Sequence, residues 1–531
     1  MRQEDEYFRT CTEEELWRRY CGFFDLSLDE FMEIQENLLT QQIDLVAESP
    51  LGKRIMKGSK PRSMEEFRHI APLTTYEDYE PYLSKRQEDT LAVKPVAWCH
   101  SSGKGGKFKW LPYNSEALEV AARFLLSAFI LATANRKGEI RIRPGERVIH
   151  PLPPRPYFSA TFRHYLCQAF PLRLLPSEEE SDRLEFPDRI QKGFQMALRN
   201  GVDEIGCLSS IMVKVGERMG EQAQGMKLSR TMLHPRVLFT LARAWFRSKR
   251  ENRPMLPKDL WSPKGIITSG ADTNIYKDGV RYYWGTTPFE LYAATEGSIL
   301  AMQNWNKKWM TLIPYCAFWE FIPEDESIKS KEDTSYQPTT LLLNELEEGE
   351  LYEVVLTQFY GMPLLRYRIG DIIKVVALTD DEADVDLPQI VFHARVGETI
   401  NLAGLASLNE RVIWQAITNT GIKYEDWSAS KEYDRDQTFL RLYLEPKEER
   451  EAAELERLVD EQLRIVDVDY RDVDSHLELQ PVRITVLSRG TFERYYQEKV
   501  EEGADFAHLK PSHINASEAV IKRLLQLSGQ V

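Results

Sequence analysis

Two hydroxyl–carboxylate pairs open the helical part of the chain. Thr12 stands three residues before Glu15, and Ser27 three before Glu30. That is capping-box spacing, in which each side chain satisfies a backbone amide left free at a helix start. After the second pair, Phe31, Ile34, Leu38 and Leu45 recur at helical spacing and predict a core-facing stripe. The longest apolar stretch, Phe124 to Ala134, is interrupted by Ser127 and Thr133. It is shorter than the roughly 20 residues that cross a bilayer, so it predicts a buried helix. From about residue 95 to 400, strand-like runs alternate with helical ones: Val148–Pro151, Gly265–Ser269, Leu351–Thr357, Ile372–Leu378 and Ile390–His393. This mixture predicts a large α/β body rather than a bundle or a sandwich. Two polar segments, Glu324–Pro338 and Thr379–Pro388, read as solvated loops.

The last 130 or so residues have a different rhythm. Thr438–Leu444 alternates as a strand does. Lys447–Val466 places Ala452, Leu455, Val459, Leu463 and Val466 on one helical face, and Val482–Leu487 is a second strand. Strand, helix and strand in so short a span predict a small α+β domain with its own sheet. The boundary falls near 396–402, giving domains 1–397 and 398–531. The acidic run around 447–461 reads as a solvated helix face.

Charge and cysteine usage narrow the class. The 531 residues carry 68 Lys and Arg against 83 Asp and Glu, a net charge of −15. Such a surface repels phosphate backbones, so no nucleic-acid partner is expected. The six cysteines are scattered without a Cys-x-x-Cys pair, which argues against a disulfide scaffold or structural zinc and fits a reducing compartment. The start, MRQEDEYFRT, is charged and lacks the apolar core of a signal peptide. A cytoplasmic monomer without a membrane partner is the expectation.

Three short segments suit phosphate chemistry. The first is Ser101-Ser102-Gly103-Lys104-Gly105-Gly106-Lys107-Phe108-Lys109, where small residues let backbone amides approach a phosphate and lysines add charge. It is not a Walker loop, because the glycine spacing is too short and Phe108 stands where Ser or Thr would hold the metal. The second is Tyr292-Ala293-Ala294-Thr295-Glu296-Gly297, offering a hydroxyl to phosphate and a carboxylate to Mg²⁺. The third is Tyr367-Arg368-Ile369-Gly370-Asp371, whose carboxylate can take both hydroxyls of a ribose. Taken singly, these read equally as a basic surface turn, a strand end with a helix cap, and an Asp-stabilised turn.

Their order and spacing together resemble the adenylate-forming superfamily of acyl ligases. The match is sharper to the hormone-conjugating acyl acid amido synthetases, the auxin-responsive Gretchen Hagen family with its bacterial relatives. Ala71-Pro72-Leu73-Thr74-Thr75-Tyr76-Glu77-Asp78-Tyr79, continued by Pro81 and Tyr82, resembles that family's "PLxxYEDYxPY" stretch. Pro314–Pro323 is similar to its "PxxAxFEFxP" strand, and Gly349–Val355 precedes the Tyr-Arg-x-Gly-Asp element as it does there. Gly490-Thr491-Phe492-Glu493, followed by Lys510-Pro511, resembles "GTFE…KxP". The resemblance covers roughly residues 30–520.

The resemblance implies an α/β fold, with a large multi-sheet adenylate-forming N-terminal domain and a small mobile α+β lid. It implies ATP and Mg²⁺ as cofactors, and a small carboxylic acid and an amino acid as substrates. The acid is adenylated and the acyl group then passes to the amine. Ser101, Ser102, Gly103, Lys104, Gly106 and Lys109 match the phosphate loop. Gly270, Ala271 and Asp272 match the loop that packs on adenine, and Tyr292 the residue that stacks on it. Thr295 and Glu296 would hold the α-phosphate and Mg²⁺, Asp371 the ribose, and Arg395 the ribose at the hinge. Lys510 would stabilise charge in the adenylation transition state. No Gly-x-Ser-x-Gly elbow or His-Glu-x-x-His is present, in keeping with chemistry done by positioning and charge. His100, His150, Phe158, Phe162 and Tyr165 are candidates for lining an acid pocket, and each reads equally as a structural residue. The sequence departs from the family where Lys104 and Gly105 replace hydroxylated residues, after the hinge at Gly404–Glu410, and where "KxPR" becomes Lys510-Pro511-Ser512-His513. An acyl-CoA or acyl-carrier ligase, or a catalytically weak nucleotide-binding homologue, therefore stays open beside the amido synthetase.

Overall fold

Both capping boxes form. Thr12 and Glu15 exchange hydrogen bonds at the start of the helix Glu13–Cys21, and Ser27 and Glu30 do so at the start of Leu28–Val46. The buried stripe of the second helix is Phe31, Gln35, Leu39, Gln42, Ile43 and Val46, whereas Leu45 is exposed. The expected phase is therefore corrected, with Phe31 alone of the four expected residues fully buried. The reason is polar. Gln35 donates to the carbonyls of Pro314 (2.6 Å) and Ala317 (2.9 Å) and accepts from the Trp319 amide (2.9 Å). Gln42 likewise bridges the Met362 carbonyl and the Gly361 amide, both at 2.7 Å. Two glutamines buried because they satisfy backbone groups shift the stripe away from its hydropathy maximum.

The computed structural model describes residues 3–100, 109–151, 154–184, 186–222, 234–269, 273–333, 335–395, 399–402, 406–434, 437–467, 470–471, 482–501 and 511–530. The chain divides into two units, residues 1–393 and 394–531. In the first, Ala97–His100 (β1) and Trp110–Tyr113 (β2) form an antiparallel ribbon. Arg147–Ile149 (β3), Arg173–Leu175 (β4), Glu204–Gly206 (β5), Gly265–Ser269 (β6) and Phe289–Ala294 (β7) pair in parallel. They are followed by Ser298–Gln303 (β8), Met310–Leu312 (β9), Ala317–Pro323 (β10), Leu351–Gln358 (β11), Tyr367–Ala377 (β12) and Gln389–Arg395 (β13). Antiparallel pairings link β7 to β8, β8 to β9, β9 to β13, β10 to β11 and β11 to β12. Among the described residues the result is one eleven-stranded sheet, ordered β10-β11-β12-β13-β9-β8-β7-β6-β5-β3-β4. The apolar stretch forms most of the helix Ser115–Thr133, buried throughout from Phe124 to Thr133. Its interrupting hydroxyls are satisfied by backbone carbonyls, Ser127 on Tyr20 and Thr133 on Ile130. No described helix is long and apolar enough to cross a membrane.

The two expected loops are corrected. Residues Glu324–Glu332 form a helix that buries Ser327 and Ser330. Ser327 donates to Glu353 Oε2 at 2.5 Å, and Arg368 binds Glu353 at 2.6 and 2.8 Å and Ser330 at 3.1 Å. A helix docked through a polar network has no apolar stripe to read. Thr379–Pro388 is a turn closed by an Asp380–Val385 bridge, with Ala383, Val385 and Leu387 buried.

The second unit holds Thr399–Leu402 (β14), Ala406–Asn409 (β15), Tyr424–Asp434 (β16), Gln437–Pro446 (β17) and Val482–Val486 (β18). β16 and β17 are antiparallel and β17 and β18 parallel, so the helix Ala452–Val466 is a crossover. It starts five residues later than expected, because β17 runs on to Pro446 and Glu451 is the N-cap. Leu455, Val459 and Leu463 pack against Trp427, Ala429, Leu440 and Leu442 in this unit's own core.

In the same unit the His513 ring faces a carboxylate at each nitrogen, Glu410 at Nδ1 and Asp426 at Nε2 (2.7 Å). Burial pulls its pKa down, but the two carboxylates outweigh this and raise it from 6.5 to about 10. A folded pKa above the unfolded one gives stability that is complete below about pH 6.5 and is lost as pH rises through 10. NMR titration of the His513 ring should place its midpoint near 10. The urea midpoint of the native chain should fall between pH 7 and 10 by more than that of His513→Gln. A ring titrating near 6.5 would contradict this assignment.

Candidate active site

A sharp turn joins β7 to β8 and carries Thr295, Glu296 and Gly297. It is fixed from both sides. Tyr113 on β2 donates to the Thr295 carbonyl at 2.7 Å, and Gln358 on β11 donates to the Glu296 carbonyl at 2.7 Å. Gly297 permits the close packing: a Cβ there would lie 2.3 Å from Leu300 Cδ2 and 2.8 Å from Leu356 Cδ2. The Glu296 side chain is 10% exposed, and Lys109 Nζ lies 3.7 Å from its Oε1.

Lys109 is itself held. It donates to the Tyr367 hydroxyl at 3.1 Å, and its ammonium lies 5.7 Å and 5.9 Å from the Tyr76 and Tyr367 ring centroids. Such placement over aromatic faces favours a cation. The Tyr76 hydroxyl accepts from the Trp110 amide at 2.8 Å, which braces the start of β2. Burial pushes the Tyr76 hydroxyl up to about 12. Burial and then the charge of Glu296 push Tyr367 well up too. Both phenols therefore stay neutral beside the ion pair.

Asp371 lies inside β12 rather than at a turn, which corrects the expected Asp-stabilised turn. The irregular point there is Gly370, with φ of +80°, a left-handed conformation that glycine adopts without strain. Asp371 is 1% exposed and accepts from the Tyr292 hydroxyl at 2.7 Å. The Tyr292 ring stands 6.0 Å from Phe392 at 64°. The Tyr-Arg-x-Gly-Asp and Pro-Leu-Thr-Thr-Tyr segments pair directly. The Thr74 amide donates to the Arg366 carbonyl at 2.9 Å, and the Arg368 amide donates to the Thr74 carbonyl at 2.8 Å.

The structure thus gathers Lys109, Thr295 and Glu296 at one turn, and joins Tyr292 to Asp371 by a hydrogen bond between β7 and β12, which β8, β9 and β13 separate in the sheet order. Arg395 ends β13, at the start of the second unit. Ser101, Ser102, Gly103, Lys104, Gly106, Gly270, Ala271, Asp272 and Lys510 lie outside the described residues. The remaining candidates are structurally engaged. His100 packs edge-on against Trp110 and Tyr157. Arg163 donates to His150 Nδ1 at 2.8 Å, and burial, then the Arg163 charge, hold that imidazole well below its usual range. Phe158 stacks on Tyr113 and Phe162, both at 4.8 Å. Tyr113 and Gln358 hold the turn but had no sequence signal, because their roles arise only from strand neighbours far apart in the chain. Tyr76 and Tyr367 were visible as motif letters without a role.

Four of the six cysteines are buried and held as thiols. Burial raises Cys99 to about 11, Cys207 and Cys316 to about 12, and Cys21 well above 9.0. Among the described residues no group of three or more His, Cys, Asp or Glu could hold a metal ion alone. A lone buried carboxylate beside an ammonium suits Mg²⁺ carried on a phosphate, since that ion usually takes one or two protein carboxylates and completes its shell with phosphate and water.

The fold has counterparts among solved structures. The chain aligns with AtGH3.15 acyl acid amido synthetase in complex with 2,4-DB, with a TM-score of 0.66 and 18% identity, over 95% of each chain. Family models match in three blocks: the GH3 family N-terminal domain over residues 21–141, the central domain over 310–395 and the C-terminal domain over 410–519. Together they cover more than half of the chain, which belongs to the GH3 family. The jasmonoyl–L-amino acid synthetase GH3.5 of Oryza sativa subsp. japonica is 23% identical over 281 residues, 49% of this chain and 47% of that protein. The jasmonoyl–L-amino acid synthetase JAR4 of Nicotiana attenuata is 24% identical over 362 residues, 58% of this chain and 60% of that protein. The chain thus spans about half the length of the first of these relatives and three-fifths of the second.

The packing at Gly297 yields a direct test. Gly297→Ala forces a methyl against Leu300 and Leu356 and should lower stability by about 1–3 kcal/mol, as overpacking does, read as a fall in urea midpoint. An unchanged midpoint would show that the turn is not constrained there.

Proposed function

We propose that the chain is an ATP-dependent ligase that adenylates a small carboxylic acid and passes the acyl group to an amine, with an amino acid as the acceptor class. AMP and pyrophosphate leave. The observation that carries this reading is the Lys109–Glu296 pair on a fixed turn, in the same sheet as the buried Tyr292–Asp371 hydrogen bond. One ammonium and one carboxylate at a rigid turn can neutralise a phosphate and its metal, while a second carboxylate can accept from ribose hydroxyls.

The remaining roles follow from the motifs. Ser101, Ser102, Gly103, Lys104 and Gly106 supply amides, hydroxyls and charge to phosphate, with Lys109 behind them. Thr295 offers its hydroxyl to the α-phosphate and Glu296 its carboxylate to Mg²⁺. Gly270, Ala271, Asp272 and Tyr292 receive adenine, while Asp371 and Arg395 take ribose. Lys510 supplies positive charge to the adenylation transition state. The division of labour is a nucleotide- and acid-binding body, residues 1–397, with a lid from 398. The family names of the relatives support the amide-forming second step, and the reading is of a cytoplasmic monomer.

Pyrophosphate exchange against a panel of carboxylic acids tests the first step. At least one acid should support exchange, and Asp371→Ala or Glu296→Ala should reduce it 10²-fold or more in a chain that still unfolds cooperatively. Exchange that survives in both variants would overturn the site. Product analysis with amino acids and coenzyme A tests the second step. An amide supports the reading, whereas a thioester with no amino acid consumed makes the chain an acyl-CoA ligase.

A further inference from the structure

The helix Pro235–Arg250 carries three kinds of side chain in three sectors. Val237, Ala244 and Ser248 are buried, in the sector that packs on the helices Phe186–Asn200 and Pro257–Leu260. At about 3.6 residues per turn, Leu238, Phe239, Ala242, Trp245 and Phe246 fall together on a second sector. The four large ones are 44% to 72% exposed, and the rings of Trp245 and Phe246 meet edge to face at 5.0 Å. Arg236, Arg243, Arg247 and Arg250 fall on the third sector, beside the apolar one, and Lys249 stands at the end of the apolar one. No acidic residue occurs in the helix, in a chain with an excess of 15 negative charges. Of the five cations, Arg247 is answered, by Glu251 at 3.4 Å and Asp259 at 3.5 Å. Those two carboxylates also hold Arg253, each at 2.6 Å. Among the described residues, Arg236, Arg243, Lys249 and Arg250 enter no ion pair, and all four are exposed. Arg236 and Phe239 also line a groove of about 490 Å³ with Leu198, Arg199 and Trp261, so the cationic rim continues onto a second helix.

A contiguous exposed apolar sector edged by unanswered cations marks a surface made to be covered. We propose that this helix is a peripheral attachment site for an anionic lipid bilayer. Its apolar sector enters the boundary between headgroups and acyl chains, and the arginines and Lys249 meet lipid phosphates and carboxylates. Trp, Phe and Leu on one face, with Arg and Lys beside them, are what a helix lying in that boundary requires. The lack of a described helix able to cross a membrane does not bear on a helix that lies in the surface. Nor does the net charge of −15 forbid the contact. Charges farther away than about 8 Å are largely screened at physiological salt, so the local patch decides the sign. A second copy of the chain is the poorer occupant, because a two-fold dimer through this helix sets the basic sector against itself.

Flotation of the full chain with lipid vesicles tests the inference. Vesicles of equal parts phosphatidylserine and phosphatidylcholine should carry the chain upward, with an affinity at least tenfold above that for phosphatidylcholine alone, and high salt should release it. Phe239→Ser with Phe246→Ser, and separately Arg243→Gln with Arg250→Gln, should each weaken binding at least tenfold with unchanged melting midpoints, since every side chain removed is exposed. Leu378→Ser, at an exposed position just beyond β12, should bind as the native chain does. Trp245 gives a second readout. Phosphatidylcholine brominated on its acyl chains, mixed with phosphatidylserine, should quench tryptophan fluorescence, and Trp245→Phe should remove most of that quenching. A native chain that ignores anionic vesicles, or binds neutral ones equally well, overturns the inference. Helix variants that bind as the native chain does, or quenching that survives Trp245→Phe, overturn it too. A native dimer that does not float, and that Phe239→Ser with Phe246→Ser dissociates, assigns the face to a second copy and overturns it as well.

Discussion

A nearly buried carboxylate is costly unless a cation answers it, and the body of this protein is arranged around that constraint at Glu296. Lys109 meets it at 3.7 Å, but a lysine on a flexible stem is a poor fixed charge. The structure stiffens it with the Tyr367 hydroxyl and two aromatic faces. The carboxylate is stiffened from the other side, because the backbone on either side of its turn is held by Tyr113 and Gln358. Strands distant in sequence thus converge on one ion pair. The pair is left with little mutual freedom.

The same economy holds the sheet to the N-terminal helices. Arg366 binds Glu320 in a bidentate way at 2.8 and 2.9 Å and reaches the Ala71 carbonyl at 2.7 Å, while Arg68 joins the same carboxylate at 3.3 Å. Gln35 and Gln42 do comparable work on the backbone of residues 314–319 and 361–362. Buried polar groups of this kind contribute little net stability when satisfied and cost much when one partner is lost. They fix register more than they add energy.

Much of this was legible in the sequence where hydropathy and caps carry the information. The two capping boxes, the buried helix around Phe124–Thr133, the β6 and β11 strands and the strand–helix–strand order of the second unit follow from local pattern. The pattern was blind where polar side chains do the packing. Gln35 and Gln42 rotated a helical stripe, Ser327 and Ser330 turned an apparent loop into a docked helix, and Asp371 was read as a turn because Gly370 looked like one. The candidate site was legible as motif letters. What could not be read was the partner set, since Tyr113 and Gln358 meet the Thr295–Gly297 turn only through strand neighbours remote in the chain.

In the proposed reading, Glu296 and Lys109 seat a metal-bound phosphate. Calorimetric titration of ATP, with and without Mg²⁺, into the native chain and into Glu296→Gln measures this most directly. Binding by the native chain should depend on Mg²⁺, and binding by the variant should be at least tenfold weaker and indifferent to Mg²⁺. Equal affinity and equal Mg²⁺ dependence in the two proteins would contradict it.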